Sequence, residues 1–137
     1  MKRQNYTVLG TFKVNEVFPF LVDPLKRCST RTERRRNYTD KHGQIHSVNM
    51  QSHRLWTFFV NGISCVSCGI TGEFFSLEKD VGNKDGPPHF NLYAIDDTGQ
   101  PLLMTKDHII PVSKGGRNTQ SNFQTMCTTC NAMKGDK

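Results

Sequence analysis

Four of the five cysteines in this 137-residue chain lie in two C-x-x-C pairs, and these pairs restrict the fold more than any other feature. The first pair is Cys65 and Cys68, and the second is Cys127 and Cys130. A C-x-x-C segment lets two thiolates converge on one side of a tight turn, and two such turns supply the four sulfur ligands of a tetrahedral zinc ion. Four thiolates leave no open position for water, so the pairs predict a structural zinc site. We interpret the remaining cysteine, Cys28, as a bystander thiol.

The loop that such a site would close is long. The 58 residues between Cys68 and Cys127 exceed the roughly 15–20 of a common zinc ribbon, so this segment must carry structure of its own. With 35% hydrophobic and 22% charged residues, the chain can bury one modest core. A metal ion would help to stabilise a core of that size.

Neither a membrane span nor a signal peptide is evident in the sequence. No apolar run approaches the roughly 18 residues that a membrane helix needs. Residues 1–13 lack the apolar stretch and the small-residue cleavage site of a signal peptide. We therefore expect a soluble, cytoplasmic protein with no membrane partner, in a reducing compartment where cysteines bind metal rather than form disulfides.

Positive charge is concentrated in the first half of the chain. Residues 1–64 contain 11 Lys and Arg against four Asp and Glu, a net charge of +7, whereas residues 65–137 have a net charge of −1. This asymmetry predicts a basic polyanion-binding region over 1–64 and a second domain over 65–137. The alternative interpretation of such a charge run is a solvated face. The residues that we expect to bind the polyanion are Arg31, Arg34, Arg35 and Arg36.

The pattern of apolar and turn-forming residues predicts an α+β protein. Asp40-Lys41-His42-Gly43 has the composition of a turn, so we predict a β-hairpin around it, with the arginines at its edge. Apolar residues spaced three and four apart before Asn61-Gly62 predict a short helix capped by Ser52. The remaining predictions are an extended segment at 17–22, strands at 72–79, 89–96 and 102–105, a loop at 80–88 and a short helix at 128–134.

A carboxylate and an imidazole, Asp107 and His108, follow the last of these strands. Asp107 and Asn131 offer the oxygen ligands that a hard divalent ion such as Mg²⁺ or Mn²⁺ prefers, with positions left for water and a phosphate. His108 can take a proton from an attacking water. This division of labour is the one that phosphodiester hydrolysis requires. Because neighbours on a regular strand face opposite sides, both residues can serve one centre only if the strand ends or bulges there.

These motifs together resemble the HNH endonucleases of the ββα-metal superfamily, in the form stapled by a four-cysteine zinc. The stretches 72–79 and 89–93 are more weakly similar to HNH proteins encoded by bacteriophages, which would place the protein in a bacterial host cell. The segments that carry the main resemblance are Cys65-x-x-Cys68, Lys106-Asp107-His108-Ile109-Ile110-Pro111, Gly115-Gly116, Asn122 and Cys127-x-x-Cys130-Asn131-x-x-Lys134.

The resemblance implies a role for each matching position. His108 would be the general base, Asp107 and Asn131 would bind the catalytic metal, and Asn122 would hold the loop through backbone hydrogen bonds. Asn131 stands where the family name has a histidine, which favours magnesium or manganese over zinc or nickel as the catalytic ion. Lys114 and Lys134 are expected to contact DNA phosphates.

The sequence thus predicts a zinc-stapled ββα-metal module preceded by a basic hairpin and a short helix. Its expected activity is divalent-metal-dependent hydrolysis of DNA, nicking one strand, with the basic region on the DNA backbone. Two alternatives are a non-catalytic zinc-stabilised nucleic-acid-binding protein and a dimeric junction-resolving endonuclease. The sequence leaves open whether the protein is a monomer or a homodimer.

Overall fold

The computed structural model describes residues 6–83 and 85–136. Three parts of the sequence-based predictions lie outside the described residues: 1–5 in the basic region, Lys84 in the 80–88 loop, and Lys137 in the second domain. The chain divides into two compact units. The first comprises the described residues up to Ser52 together with Phe74–Asn91, and the second comprises His53–Glu73 and the described residues from Leu92 onward.

The first unit is built from paired strands around an aromatic core. Strand β1 (Tyr6–Phe12) pairs antiparallel with β4 (Phe74–Asp80), and β2 (Arg35–Thr39) pairs antiparallel with β3 (Ile45–Asn49). The rings of Phe12, Tyr38, Phe75 and Phe90 pack edge to face, with centroids 4.8–5.9 Å apart. These contacts give a basic segment of the chain an apolar interior.

The β2–β3 hairpin confirms the predicted turn. The Asp40 carboxylate accepts hydrogen bonds from the backbone N–H groups of His42 and Gln44, at 2.8 and 2.9 Å. Gly43 has φ +83°, a conformation that glycine adopts without a steric penalty. Asp and Gly therefore act in this turn as the sequence pattern indicated.

The predicted extended segment at 17–22 is wrong, and a strand that the sequence did not reveal precedes it. The chain there forms two 3₁₀ turns, Val14–Glu16 and Phe18–Phe20. Pro19 lies inside the second turn, where its fixed φ is favourable and its missing N–H costs nothing. Val17, between the turns, is fully buried.

In the second unit a helix lies against a three-stranded antiparallel arrangement. Helix α1 (His53–Asn61) ends before Gly62, as predicted, with Gly62 at φ +104°. The Asn61 side-chain amide donates to the carbonyl of Phe123 at 2.7 Å, and the Thr125 hydroxyl donates to the carbonyl of Gly62 at 2.7 Å. These two bonds fix the end of the helix against a strand, and Leu55 and Phe58 are buried.

The strands of this unit lead into the second helix. β5 (His89–Ile95) starts in the first unit and continues here, where it pairs with β6 (Pro101–His108). β6 pairs with β7 (Phe123–Cys127), and α2 (Thr128–Lys134) follows directly. The order β6–β7–α2 is a ββα arrangement, which confirms the predicted α+β class. The predicted strands at 72–79, 89–96 and 102–105 and the predicted helix at 128–134 are also confirmed.

The two compact units differ from the predicted division at residue 64. Phe74–Asn91 joins the first unit because β4 pairs with β1. The predicted short helix, assigned to the N-terminal region, belongs to the second unit because α1 bonds to β7. The division of labour between 1–64 and 65–137 stays a prediction about function.

Candidate functional site

The four paired cysteines converge on one point in the second unit. Their sulfur atoms all lie within 4.8 Å of one another, and the Sγ atoms of Cys68 and Cys127 are 3.9 Å apart. Four sulfurs at about 2.3 Å from one ion in tetrahedral geometry are about 3.8 Å apart. The cluster is therefore positioned to bind a metal ion through four sulfur ligands.

The first pair of cysteines lies in a tight turn stabilised by its backbone. The N–H of Cys65 donates to the carbonyl of Ile70, and the N–H of Gly69 donates to the carbonyl of Cys65, at 2.8 and 2.9 Å. Gly69 has φ +81°, which explains a glycine directly after Cys68. The N–H of Val66 donates to the carbonyl of Thr125 at 3.0 Å and so joins this turn to β7.

The second pair spans the junction of β7 and α2. Cys127 is the last residue of the strand and the N-cap of the helix, where its Sγ accepts a hydrogen bond from the N–H of Cys130 at 3.4 Å. The Thr128 hydroxyl donates to the carbonyl of Leu103 at 2.9 Å, which ties the start of the helix to β6. The metal cluster is thus built into the element that carries Asn131 and Lys134.

The cluster favours a thiolate at Cys65. Burial raises the pKa of this thiol, but backbone N–H groups of Cys68, Cys127 and Ser67 outweigh burial and bring the pKa to about 6. A thiolate is the form of cysteine that binds metal. The N–H groups of the turn thus stabilise the charge that a metal ligand must have.

Asp107 and His108 stand at the end of β6. The strand ends at His108, as a shared centre requires, and both residues line one depression of about 260 Å³. Pro111, Val112, Ser113, Lys134, Gly135 and Asp136 line the rest of it. The structure therefore brings the predicted base and a predicted metal ligand to the same place.

The Asp107 carboxylate is nearly buried, and one of its oxygens is paired. Oδ2 accepts from the Lys134 ammonium at 2.8 Å and from the Gln124 side-chain amide at 2.9 Å. The same ammonium donates to the backbone carbonyl of His108 at 2.6 Å. Within the described part of the chain, Oδ1 of Asp107 has no hydrogen-bond partner. The carboxylate thus keeps one oxygen free for a ligand.

The His108 ring is oriented by two contacts. Its Nε2 lies 2.6 Å from Oδ1 of Asn118, and its ring packs edge to face on Phe123, with centroids 5.2 Å apart. Because a carboxamide oxygen only accepts hydrogen bonds, Nε2 carries the proton in this arrangement. The other ring nitrogen, Nδ1, is then the one that can accept a proton.

The Asn122 side chain closes the loop between β6 and β7. Its Oδ1 accepts from the N–H of Ile110, and its Nδ2 donates to the carbonyls of Ile110 and Arg117, at 2.9–3.0 Å. Such backbone bonds are the ones that the resemblance assigns to this position. They hold the segment directly after His108 in a fixed path.

Asn131 lies one helical turn before Lys134 but contacts a different residue. Its Nδ2 donates to the Thr105 hydroxyl at 3.0 Å, and that hydroxyl donates to the carbonyl of Met126 at 2.8 Å. The chain of bonds fixes which end of the amide faces Thr105. Among residues 6–83 and 85–136, none donates a hydrogen bond to Oδ1 of Asn131.

The predicted phosphate contacts have different surroundings. Lys114 is exposed, whereas Lys134 is mostly buried in the ion pair with Asp107. In the first unit, Arg31 and Arg34 lie in a 3₁₀ turn, Arg31–Arg34, and the next residue begins β2. The guanidinium carbon of Arg36 lies 3.4 Å from the centroid of the Phe20 ring, so Arg36 makes a cation–π contact.

Sequence reasoning missed three residues of the site: Thr105, Asn118 and Gln124. Gln124 faces Asp107 because the two are register partners across β6 and β7, which no sequence spacing reveals. Asn118 lies in the loop between β6 and β7, and the course of this loop brings its side chain to His108. Thr105 could have been found from strand alternation, since it lies two positions before Asp107 on the same face of β6.

The second unit thus combines a ββα arrangement, four clustered cysteines able to bind a metal ion, and an Asp and a His at the end of one strand. Residues 97–137, 41 of the 137, match the family model of HNH endonucleases. The predicted resemblance to HNH endonucleases is confirmed over this segment, while the bacteriophage origin and the four-cysteine zinc form stay predictions. The matched segment includes the second cysteine pair and every predicted catalytic residue, and the first pair precedes it.

No curated protein and no solved structure is significantly similar to the chain. The longer of the two α-helices in the described residues has nine residues, so neither helix can cross a membrane.

Proposed function

We propose that this protein is a divalent-metal-dependent endonuclease that hydrolyses DNA phosphodiester bonds and nicks one strand, acting in the cytoplasm. The observation that carries the proposal is the pairing of Asp107 and His108 at the end of β6. They line one depression within the segment that matches the HNH family. One such centre performs one hydrolysis per visit, which is why a nick is the expected product.

His108 is the general base in this proposal. Asn118 binds the protonated Nε2, so Nδ1 remains to take the proton of a water molecule that attacks phosphorus. The packing of the ring on Phe123 limits its rotation and keeps Nδ1 in one direction. The Asn122 bonds hold the backbone that follows His108.

Asp107 and Asn131 are the residues that we propose to hold the catalytic ion, through Oδ1 of each side chain. Carboxylate and amide oxygens suit Mg²⁺ or Mn²⁺. When bound, the ion would supply Lewis-acid stabilisation of the phosphate and the leaving oxygen. Lys134 pairs with Oδ2 of Asp107, and Nδ2 of Asn131 donates to Thr105, so neither bond uses the oxygen that we propose as the ligand.

The four-cysteine cluster is proposed to bind structural zinc. Four sulfur donors satisfy the tetrahedral preference of that ion and leave no site for a substrate. Its task is to hold β7 and α2 so that Asn131 is positioned relative to β6.

The test is a plasmid assay on zinc-loaded full-length protein, dialysed free of other divalent ions. Supercoiled plasmid is incubated with Mg²⁺, with Mn²⁺ or with no added ion, and zinc content is measured before and after. We expect open-circular DNA to accumulate only with an added ion, and linear DNA to appear later. A preparation that retains zinc and binds DNA but never nicks it would contradict the proposal and support the non-catalytic alternative.

A parallel arm tests the junction-resolving alternative. Cleavage of a four-way DNA junction is compared with cleavage of a linear duplex of equal length, and gel filtration gives the oligomeric state. We expect comparable rates on both substrates. A dimer that cuts only the junction would replace the nicking proposal with the junction-resolving function.

A further inference from the structure

A groove of about 500 Å³ in the first unit has no part in the hydrolytic site. It lies on one face of the β2–β3 hairpin and is open to solvent. Two arginines and three side chains able to donate hydrogen bonds line it: Arg31, Thr32, Arg35, Asn37 and Ser47.

The hairpin sorts the arginine run into two faces. Successive strand residues alternate, so Arg35 and Asn37 share the face of the groove, while Arg36 and Tyr38 point to the opposite face. There Tyr38 is buried and Arg36 packs over the Phe20 ring. Only part of the basic run is therefore available to a ligand in the groove.

Arg35 is held in place before any ligand arrives. Its Nε donates to the Ser47 hydroxyl at 2.7 Å, and one terminal nitrogen donates to the Ser47 carbonyl at 2.8 Å. Ser47 faces Asn37 directly across the two strands. A guanidinium with fixed orientation loses less conformational freedom when it binds a phosphate.

The described residues do not neutralise the positive charge of the groove. No carboxylate in the described ranges forms an ion pair with Arg31 or Arg35. The nearest acid in sequence, Glu33, turns to Ser29, whose N–H and hydroxyl bind its carboxylate. Burial lowers the pKa of Arg35, and the charges of Arg31 and Arg34 lower it further.

We propose that this groove binds the phosphodiester backbone of nucleic acid, with Arg31 and Arg35 as the charged contacts and Thr32 and Asn37 as neutral donors. The inference rests on the proposed nuclease function. It reduces the arginines proposed to contact DNA in the basic region from four to two. Guanidinium groups match phosphate geometry, and backbone contacts carry affinity without reading sequence. Arg36 is not part of the proposed contact set, because it lies on the opposite face of the hairpin, where its guanidinium stacks on the Phe20 ring.

The test uses full-length His108→Ala protein, so that DNA is not cut during binding. Affinity for a fluorescent 20-base-pair duplex is measured by anisotropy over a range of salt concentrations. The variant adds Arg31→Gln and Arg35→Gln, and the matched control adds Lys41→Gln and Lys79→Gln, which remove the same charge from the same unit outside the groove. Circular dichroism and melting curves check that all three proteins are folded.

We expect the groove variant to bind at least tenfold more weakly at about 100 mM salt. The slope of log affinity against log salt should fall by about 1.8, since each neutralised phosphate contributes roughly 0.9. The control should keep the slope of its parent. An unchanged groove variant, or equal losses in variant and control, would overturn the proposal.

Failure of the groove and failure of the nuclease function give different results. Wild-type protein that nicks plasmid while the groove variant binds normally refutes the groove alone. Salt-dependent binding that requires Arg31 and Arg35, in a protein that never nicks, supports the groove and refutes the nuclease. The His108→Ala protein could instead fail to bind duplex DNA and bind a polyglutamate peptide through these arginines. That result would assign the groove to an acidic polypeptide and overturn the inference.

Discussion

At the residue scale, the loop after His108 shows why two consecutive glycines stand in the motif. Gly115 has φ +90°, a backbone angle that residues with a side chain rarely adopt. Gly116 is restricted by space instead: a Cβ at this position would lie 1.8 Å from the carbonyl oxygen of Ile110 and 2.9 Å from Nδ2 of Asn122. Gly115 permits the backbone conformation of the loop, and Gly116 leaves space for the Ile110 carbonyl and the Asn122 amide that bonds to it.

Gly116→Ala is expected to break this loop. The added methyl group must push away the Ile110 carbonyl, which is the acceptor of the Asn122 amide. We expect the free energy of unfolding to fall by about 1–3 kcal/mol, measured by urea denaturation, with a matching loss of nicking. The control is Gly82→Ala, where the nearest atom to the new Cβ is a side-chain oxygen at 3.5 Å. Equal stability of the two variants would contradict this account of the loop.

The order of residues predicted that Asp107 and His108 lie together, but it did not predict the contacts that each of them makes. Asp107 and His108 were identified from their order and from the polar chemistry of each side chain. Their partners were not, because Lys134 was expected to meet a phosphate and lies on Asp107. The pairing of polar groups inside a site depends on strand register and on the course of the loops. The local spacing of residues in the sequence reveals neither.

At the element scale, the Asp40 carboxylate stabilises the turn of the β2–β3 hairpin. A hydrogen bond from His46, at 2.7 Å, and two backbone N–H groups hold the pKa of Asp40 at about 2, below its usual 3.8. Because the folded pKa is the lower one, the stabilisation is complete above about pH 4 and disappears as the pH falls through about 2.

The expected signature is a pH-dependent cost of Asp40→Asn. Melting temperatures of wild type and variant should differ by a constant amount from pH 5 to 7, and the difference should shrink below pH 4. The measurement is thermal melting followed by circular dichroism across that range. The control is His42→Ala in the same turn: the His42 ring makes no hydrogen bond to the residues that the structure describes, so this variant should melt like wild type throughout. A difference that persists unchanged at pH 2 would contradict the assigned role of Asp40.

The second helix depends on the cysteine cluster. α2 has seven residues, fewer than an isolated helix needs to be stable in water; Cys127 is its N-cap and Cys130 is its third residue. We expect zinc removal by a strong chelator to abolish amide-exchange protection over residues 123–134 and to lower the melting temperature. Cys28→Ser should retain one zinc per chain, while Cys130→Ser should lose it. Protection that survives verified zinc removal would refute the structural role of the metal.

Elements were predictable where local chemistry and tertiary context agree. The Asp40–Gly43 turn and the Asn61-Gly62 helix end carry their own signals in the sequence. The 17–22 segment failed because its apolar residues resemble a strand, whereas Pro19 and the burial of Val17 favour 3₁₀ turns. β1 was missed because its partner in the sheet, β4, lies more than 60 residues later in the chain.

At the scale of the whole molecule, the division by charge that the sequence predicts differs from the division into two compact units. The charge asymmetry separates residues 1–64 from 65–137, yet the fold assigns Phe74–Asn91 to the first unit and α1 to the second. Charge is a property of local composition, whereas a compact unit depends on strand pairing between distant segments. The pairing of β1 with β4 is one example, and it joins segments that are more than 60 residues apart in the chain.

The measurement that tests the central claim most directly is the nicking rate of His108→Ala beside His42→Ala. Both variants lose one histidine, but only His108 lines the depression with Asp107. With zinc content and folding verified, we predict that His108→Ala lowers the Mg²⁺-dependent rate by about 10²–10⁴-fold, the usual contribution of a general base, and that His42→Ala leaves it unchanged. Equal nicking by the two variants would contradict the assignment of this depression as a hydrolytic centre.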